Sequence, residues 1–129
     1  MSDFPDPYRP HMLPKVRSSL IMSTAEAAPC TLRIASFVPG RQCWGRDTTV
    51  ITHLPVWGKG KSTKCTDMAG AFGCAACHAI IDGPDKAARE YLMKNYGSAI
   101  FERMLNGLTE THALLIQRGV IIIPDAQLI

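Results

Sequence analysis

No stretch of this chain is apolar over the ~18 residues that a membrane-crossing helix requires, which argues against a helical membrane protein. A secretory leader is not expected from the first twenty residues either. Asp3 and Asp6 stand where a basic start would be needed, and Pro5, Pro7, Pro10 and Pro14 interrupt any apolar run. These absences point to a reducing, cytoplasmic setting, where five cysteines serve as metal ligands or reactive thiols and not as a disulfide framework. Internal repeats are lacking too, and 129 residues are too few for two comfortable cores. With hydrophobic residues at 47%, a single packed domain is expected over residues 15–129, preceded by a flexible, proline-broken arm at 1–14.

A strong overall charge is also absent, the formal net charge being only +3. Its distribution is uneven. Residues 31–66 carry one acid, Asp47, against six bases: Arg33, Arg41, Arg46, Lys59, Lys61 and Lys64. Such a patch suits a surface that meets phosphate, although a solvated basic face would look the same.

The pattern of apolar residues and breakers predicts an α+β chain. A short helix is expected over 15–28, ended by Pro29, followed by strands at 31–38 and 48–54. Pro39-Gly40 closes the first strand, and Pro55, Gly58 and Gly60 among lysines make 55–66 a loop. An extended piece at 68–72 leads to a helical turn or two at 75–82, stopped by Gly83-Pro84. Pro84 then opens a helix to about Asn95. The longest periodic segment is 98–118, with Ile100, Phe101, Met104, Leu105, Leu108, Leu115 and Ile116 as its apolar stripe; an edge strand at 120–123 follows.

Cys74-Ala75-Ala76-Cys77 puts two thiolates on one turn, a spacing that suits tetrahedral zinc with Zn–S bonds of ~2.3 Å. Cys30 and Cys43 flank a predicted strand and turn and are expected to complete the site; Cys65 is left over, or replaces one of them. The same run with His78 also fits C-x-x-C-H, the attachment pattern of a c-type haem. Haem attachment normally follows export, and it would leave Cys30 and Cys43 without a role. Gly58-Lys59-Gly60-Lys61-Ser62 ends like a phosphate-binding P-loop, but the first glycine of that motif falls at Pro55, which excludes a nucleotide triphosphatase.

Zinc held by four cysteines is coordinatively closed, so any reaction needs other groups. His78 and Asp82, four residues apart on a predicted helix, share one face and can hold a divalent cation. His53, at the end of the second predicted strand, is a candidate general base. His112 and His11 have no partner constellation.

The ordered set of Cys30, Cys43, Thr52-His53-Leu54, the 58–64 loop, Asp67, and Cys74-Ala75-Ala76-Cys77-His78 with Asp82 resembles the YbcO family of phage and prophage nucleases. More broadly it is similar to zinc-bearing HNH endonucleases. The resemblance spans about residues 15–123. It implies a small, zinc-stabilised ββα-metal domain with additional C-terminal helices, in which His53 is the general base, His78 the metal-binding histidine of the helix, and Asp67 the middle residue. Asparagine is usual at that middle position, so Asp67 either orients His53 or joins the metal. Thr52 stands where such enzymes commonly carry a metal ligand, so a carboxylate introduced there should tighten the cation. The implied activity is hydrolysis of DNA in phage recombination or DNA processing, with structural Zn2+ and catalytic Mg2+ or Mn2+. Arg33, Arg46, Lys59, Lys61 and Lys64 are the candidate DNA contacts. The competing expectation is a zinc-stabilised DNA- or protein-binding module without catalysis.

Overall fold

The computed structural model describes residues 14–56 and 65–129. The arm expected at 1–14 falls almost wholly outside the described residues, as do Lys59, Lys61, Lys64 and most of the 55–66 loop. Among the described residues, two strands and four α-helices make a mixed α+β domain. No described helix is long and apolar enough to cross a membrane.

The first helix, α1 (Ser19–Thr24), is shorter than its sequence suggests. Ser18 caps it, its hydroxyl accepting the Ile21 amide at 3.1 Å. Val16 instead pairs its carbonyl with the Asp67 amide at 2.8 Å and its amide with the Thr66 hydroxyl at 3.0 Å. Ala27, at φ 61°, turns the chain out of helix on the other side.

The strand expected at 31–38 does not form. The Arg33 amide turns back to donate to Cys30 Sγ at 3.4 Å, with Arg33 at φ 50°, and a 3-10 turn at Ala35–Phe37 follows. Leu32, Ile34, Ala35 and Val38 are all buried, a continuous apolar knuckle without strand alternation. The Pro39-Gly40 turn does form, Gly40 taking φ 77° while the Arg41 amide donates to Val38.

Strand β1 (Val50–His53) pairs antiparallel with β2 (Gly70–Gly73), Ile51 opposite Phe72 and His53 opposite Gly70. The hairpin separates two cores. Ile51 and Phe72 pack with Ile21 and Leu115 on one face. Ala71 and Leu54 belong to the other, with Leu32, Cys74, Cys77 and Ile80. Helix α2 (Ala75–Ile81) follows β2 directly and lies across that second face.

Gly83 ends α2 where an added Cβ would meet the Ala79 backbone at 2.7 Å, so a side chain there has no room. Helix α3 (Lys86–Tyr96) begins two residues after Pro84, because Asp85 is its cap, accepting the Ala88 amide at 3.2 Å. Asp85 also accepts from Nε and Nη2 of Arg41, at 2.8 and 3.0 Å, tying the turn at residue 41 to α3.

Helix α4 (Ala99–Gln117) buries Ile100, Met104, Gly107, Thr111 and Leu115. Phe101 and Leu105, expected in the stripe, are exposed, because Gly107 and Thr111 bring the helix close to Thr31 along a narrower line. The fully buried Thr111 hydroxyl bonds to the Thr31 hydroxyl (2.8 Å), the Phe72 amide (3.1 Å) and the Gly107 carbonyl (2.8 Å). Thr111→Val leaves the Phe72 amide without its acceptor inside the protein, while the Thr31 hydroxyl keeps the Phe72 carbonyl at 3.1 Å. It should cost about 1–3 kcal/mol in denaturant unfolding without altering metal content. The edge strand expected at 120–123 is also absent: Gly119 takes φ 74°, and the Val120 and Ile121 amides both cap α4 at the Leu115 carbonyl.

Candidate functional site

Cys74 closes β2 and caps α2, and Cys77 follows one turn later. Cys30 and Cys43 arrive from turns on either side of the apolar knuckle. All four Sγ atoms lie within 4.8 Å of one another. Cys77 Sγ is 3.7 Å from both Cys30 and Cys43. Four thiolates ~2.3 Å from a central zinc are separated by about 3.8 Å, so the cluster has the dimensions of a zinc tetrahedron. A disulfide, at ~2.05 Å, does not fit these separations.

Two backbone amides favour negative sulfur here, Arg33 donating to Cys30 and Trp44 to Cys74, each at 3.4 Å. The hydrogen bond with Cys77 lowers the Cys30 thiol to about 5. Cys77 is pushed up by the same contact and by burial, and Cys43 to about 11 by burial and the nearby Cys30 and Cys74 charges. Four cysteines in this arrangement can hold a metal ion such as zinc. Cys65 is buried elsewhere and is not part of the group. The sulfurs of Cys74 and Cys77 are fully buried in this cluster, which denies them to a porphyrin.

His53 and Asp67, distant in sequence, form the second feature. His53 Nε2 lies 3.0 Å from Asp67 Oδ1. The Ser18 amide donates to Asp67 Oδ2 at 2.7 Å, and Arg17 Nη1 stands 3.6 Å from Oδ1. Burial alone would push the Asp67 carboxyl up. The Ser18 amide, the His53 ring and the Arg17 guanidinium outweigh it and hold the group below its ordinary value. An ionised Asp67 accepts from Nε2–H, which puts the lone pair of the neutral ring on Nδ1. The pair opens on a surface depression of about 500 Å³, also lined by Arg17, Ser18, Met22 and Cys65.

His78 on α2 and Asp82 at its C-cap make a looser, half-exposed pair, Nε2 to Oδ2 3.9 Å. Strand alternation carries His53 on the Ile51 side, toward α1, whereas α2 lies across the opposite face. The structure thus brings His53 to Asp67 and His78 to Asp82. It does not join the two pairs: among the described residues, the cysteines are the group of three or more ligands close enough to share an ion. Pro55, two residues beyond His53, does line a cavity with Ile80 and Ile81, so the end of α2 is near the end of β1.

Thr52 is fully buried on the α2 side, against Gly73, where an added Cβ would fall 2.4 Å from its hydroxyl. A carboxylate at this position would be sealed in the core, which overturns the expectation that Thr52→Asp tightens a cation. Of the basic residues, Arg33 is held by both oxygens of Glu110, at 3.1 and 2.7 Å, and Arg46 bonds to the Ala27 carbonyl at 3.1 Å. His112, which had no expected role, bonds through Nε2 to the Met68 carbonyl at 2.9 Å. Arg17 and Ser18, neither of them marked by any motif, shape the Asp67 site. Sequence spacing gives no hint of them, because Ser18 meets Asp67 across 49 residues of chain.

A family model described as "Putative nuclease YbcO" matches residues 19–119. Among solved structures the chain is similar to "a putative bacteriophage protein from Escherichia coli str. K-12 substr. MG1655". The identity is 23%, covering 76% of this chain and 98% of that one, with a TM-score of 0.52. At that identity the likeness is one of fold. No curated protein matches the chain.

Proposed function

The chain belongs to the YbcO family, and from that premise we propose that it is a metal-dependent DNA endonuclease of the HNH, ββα-metal type. The observation that carries this reading is the His53–Asp67 pair. A buried carboxylate fixes the tautomer of an imidazole at the rim of an open depression, the arrangement a general base requires. The order β1, β2, α2 agrees with a ββα-metal unit.

In this reading His53 removes the proton of the attacking water and Asp67 orients the ring. The 3.9 Å between His78 and Asp82 lets both ligate one ion. Mg2+ or Mn2+ there would polarise a phosphate oxygen as a Lewis acid. The four cysteines hold structural Zn2+ and take no part in the chemistry. Phage recombination or DNA processing is the setting proposed, with recombination proteins as partners and the bacterial cytoplasm as location.

One observation favours a second reading, a zinc-stabilised DNA-binding module without catalysis: His53 faces α1 while the His78–Asp82 pair sits on α2 across the hairpin. Cleavage assays on single-stranded, duplex, flap and junction DNA, with Mg2+, Mn2+ or chelator, separate the two. Cation-dependent cleavage supports the nuclease. Binding without cleavage supports the module, and neither binding nor cleavage removes both.

DNA contact is assigned to Arg33, Arg46 and the lysines of the 58–64 segment, within the region of six bases and one acid. Replacing Lys59, Lys61 and Lys64 with alanine should weaken binding across sequences. The log–log salt slope should become shallower by about 0.9 for every duplex phosphate that these side chains neutralise. An unchanged slope would take these lysines out of the interface.

A further inference from the structure

Trp44 is 62% exposed, although tryptophan ordinarily buries most of its large apolar surface. Its backbone is held on the N-terminal side. It directly follows Cys43 of the four-sulfur cluster, and its own amide donates to Cys74 Sγ at 3.4 Å. The ring therefore stands on a turn whose backbone is tied to the cysteine cluster, which lessens the backbone ordering that a ligand would have to bring about.

Beside it lies a shallow depression of about 530 Å³, lined by Gly40, Arg41, Gln42, Trp44 and Ala76. Gly40 and Ala76 present little side-chain bulk, which leaves open space against the ring. Gln42 brings an amide able both to donate and to accept, as the edge of a nucleobase requires. One cation near the ring in sequence is left without an acid partner. Arg41 is neutralised by Asp85, but Arg46, two residues beyond Trp44, bonds only to a carbonyl, and among the described residues no carboxylate pairs with it.

We infer that Trp44 is a stacking platform for an unpaired nucleobase, so that the protein engages single-stranded DNA at the cysteine cluster. Every base offers a π-face, so a lone aromatic ring with a nearby cation binds single strands with little sequence preference. A duplex keeps its bases stacked inside and cannot use the ring. This inference rests on the proposed action on DNA and specifies the form of DNA recognised: substrates with a single-stranded portion.

The test uses the full-length zinc-loaded chain carrying Trp57→Phe, which leaves Trp44 as the single tryptophan. Three ligands are titrated: a short oligothymidylate, an abasic oligomer of equal length, and a duplex. Oligothymidylate should quench Trp44 fluorescence and the abasic oligomer should not. Trp44→Ala should weaken oligothymidylate binding roughly 5- to 100-fold, the loss of about one aromatic–base stack, and leave abasic and duplex binding unchanged. Trp44→Phe should retain most of the affinity, and equal zinc content in all variants establishes that they are folded. Equal weakening on the abasic oligomer, no weakening at all, or an effect confined to self-association in sedimentation would overturn the inference, the last assigning the ring to a protein contact. A chain that binds duplex but shows no Trp44 effect fails here alone. A chain that binds none of the three and cleaves no DNA fails together with the proposed function.

Discussion

Cys77→Ser should unfold the zinc-loaded protein, and a strong chelator should do the same to the wild type. Cys77 is fully buried and its sulfur touches two of the other three. The residues it gathers form little regular structure of their own: Cys30 to Val38 is a knuckle and one 3-10 turn, and Cys43 to Thr49 is another 3-10 turn. The cluster stands in for the hydrogen-bond ladder that these segments lack. It also brings Leu32, Ile34 and Val38 against Ile80 and Leu92 in the larger core. Structural zinc in small modules supplies apparent binding free energy on the order of 10 kcal/mol, as much as the whole stability of a typical domain. Metal analysis should find a single zinc per chain, and circular dichroism should show loss of helix on its removal. Cys65→Ser is the control: that residue lies outside the cluster, so zinc content should not change. A metal-free chain with a cooperative native melt would remove the structural role.

The parts of the fold that are legible in the sequence are those with local causes. Three helices after residue 74 follow from periodicity and breakers, and β1 from the β-branched run at 48–54. Residues 31–38 read as a strand because a cysteine-anchored knuckle and a strand both place apolar residues close together. What separates them is the Arg33 amide reaching back to Cys30 Sγ at 3.4 Å, a geometry set by sulfur. In α4, periodicity alone does not tell that Thr111 faces the core and Phe101 the solvent. That choice depends on Thr31, whose hydroxyl meets Thr111 across 80 residues.

The site divides in the same way. The CxxC pair is a local signal, and the structure brings Cys30 and Cys43 to it. His53 and Asp67 are legible together only through family resemblance, and of the two partners expected for Asp67 it is His53 that it meets, at 3.0 Å. Arg17 and Ser18 leave no signal, since nothing in residues 14–18 indicates that the segment runs beside residues 65–67.

Once cleavage is observed, His53→Ala should lower its rate by roughly 10²–10⁴-fold, the usual contribution of a positioned general base. Zinc content and DNA affinity should stay near those of the wild type, because His53 lies at the edge of the hairpin, half-buried, and takes no part in the cysteine cluster. His78→Ala and Asp82→Ala should behave differently, raising the Mg2+ or Mn2+ concentration needed for half-maximal cleavage and recovering much of the rate at high metal. This contrast follows from what each pair can do: a proton acceptor cannot be replaced by more cation, while a weakened ligand set can be offset by mass action. The placement of the two pairs on different faces of the hairpin makes the comparison decisive. If His53→Ala is silent while the α2 variants abolish cleavage, the reaction belongs to the α2 face and His53 with Asp67 is a structural clamp joining β1 to the segment before α1. If His53→Ala is severe and the α2 variants are silent at every metal concentration, the cation is held elsewhere. Only the paired result, a severe loss at His53 and a metal-rescued loss at His78 and Asp82, upholds the general-base and cation assignments together.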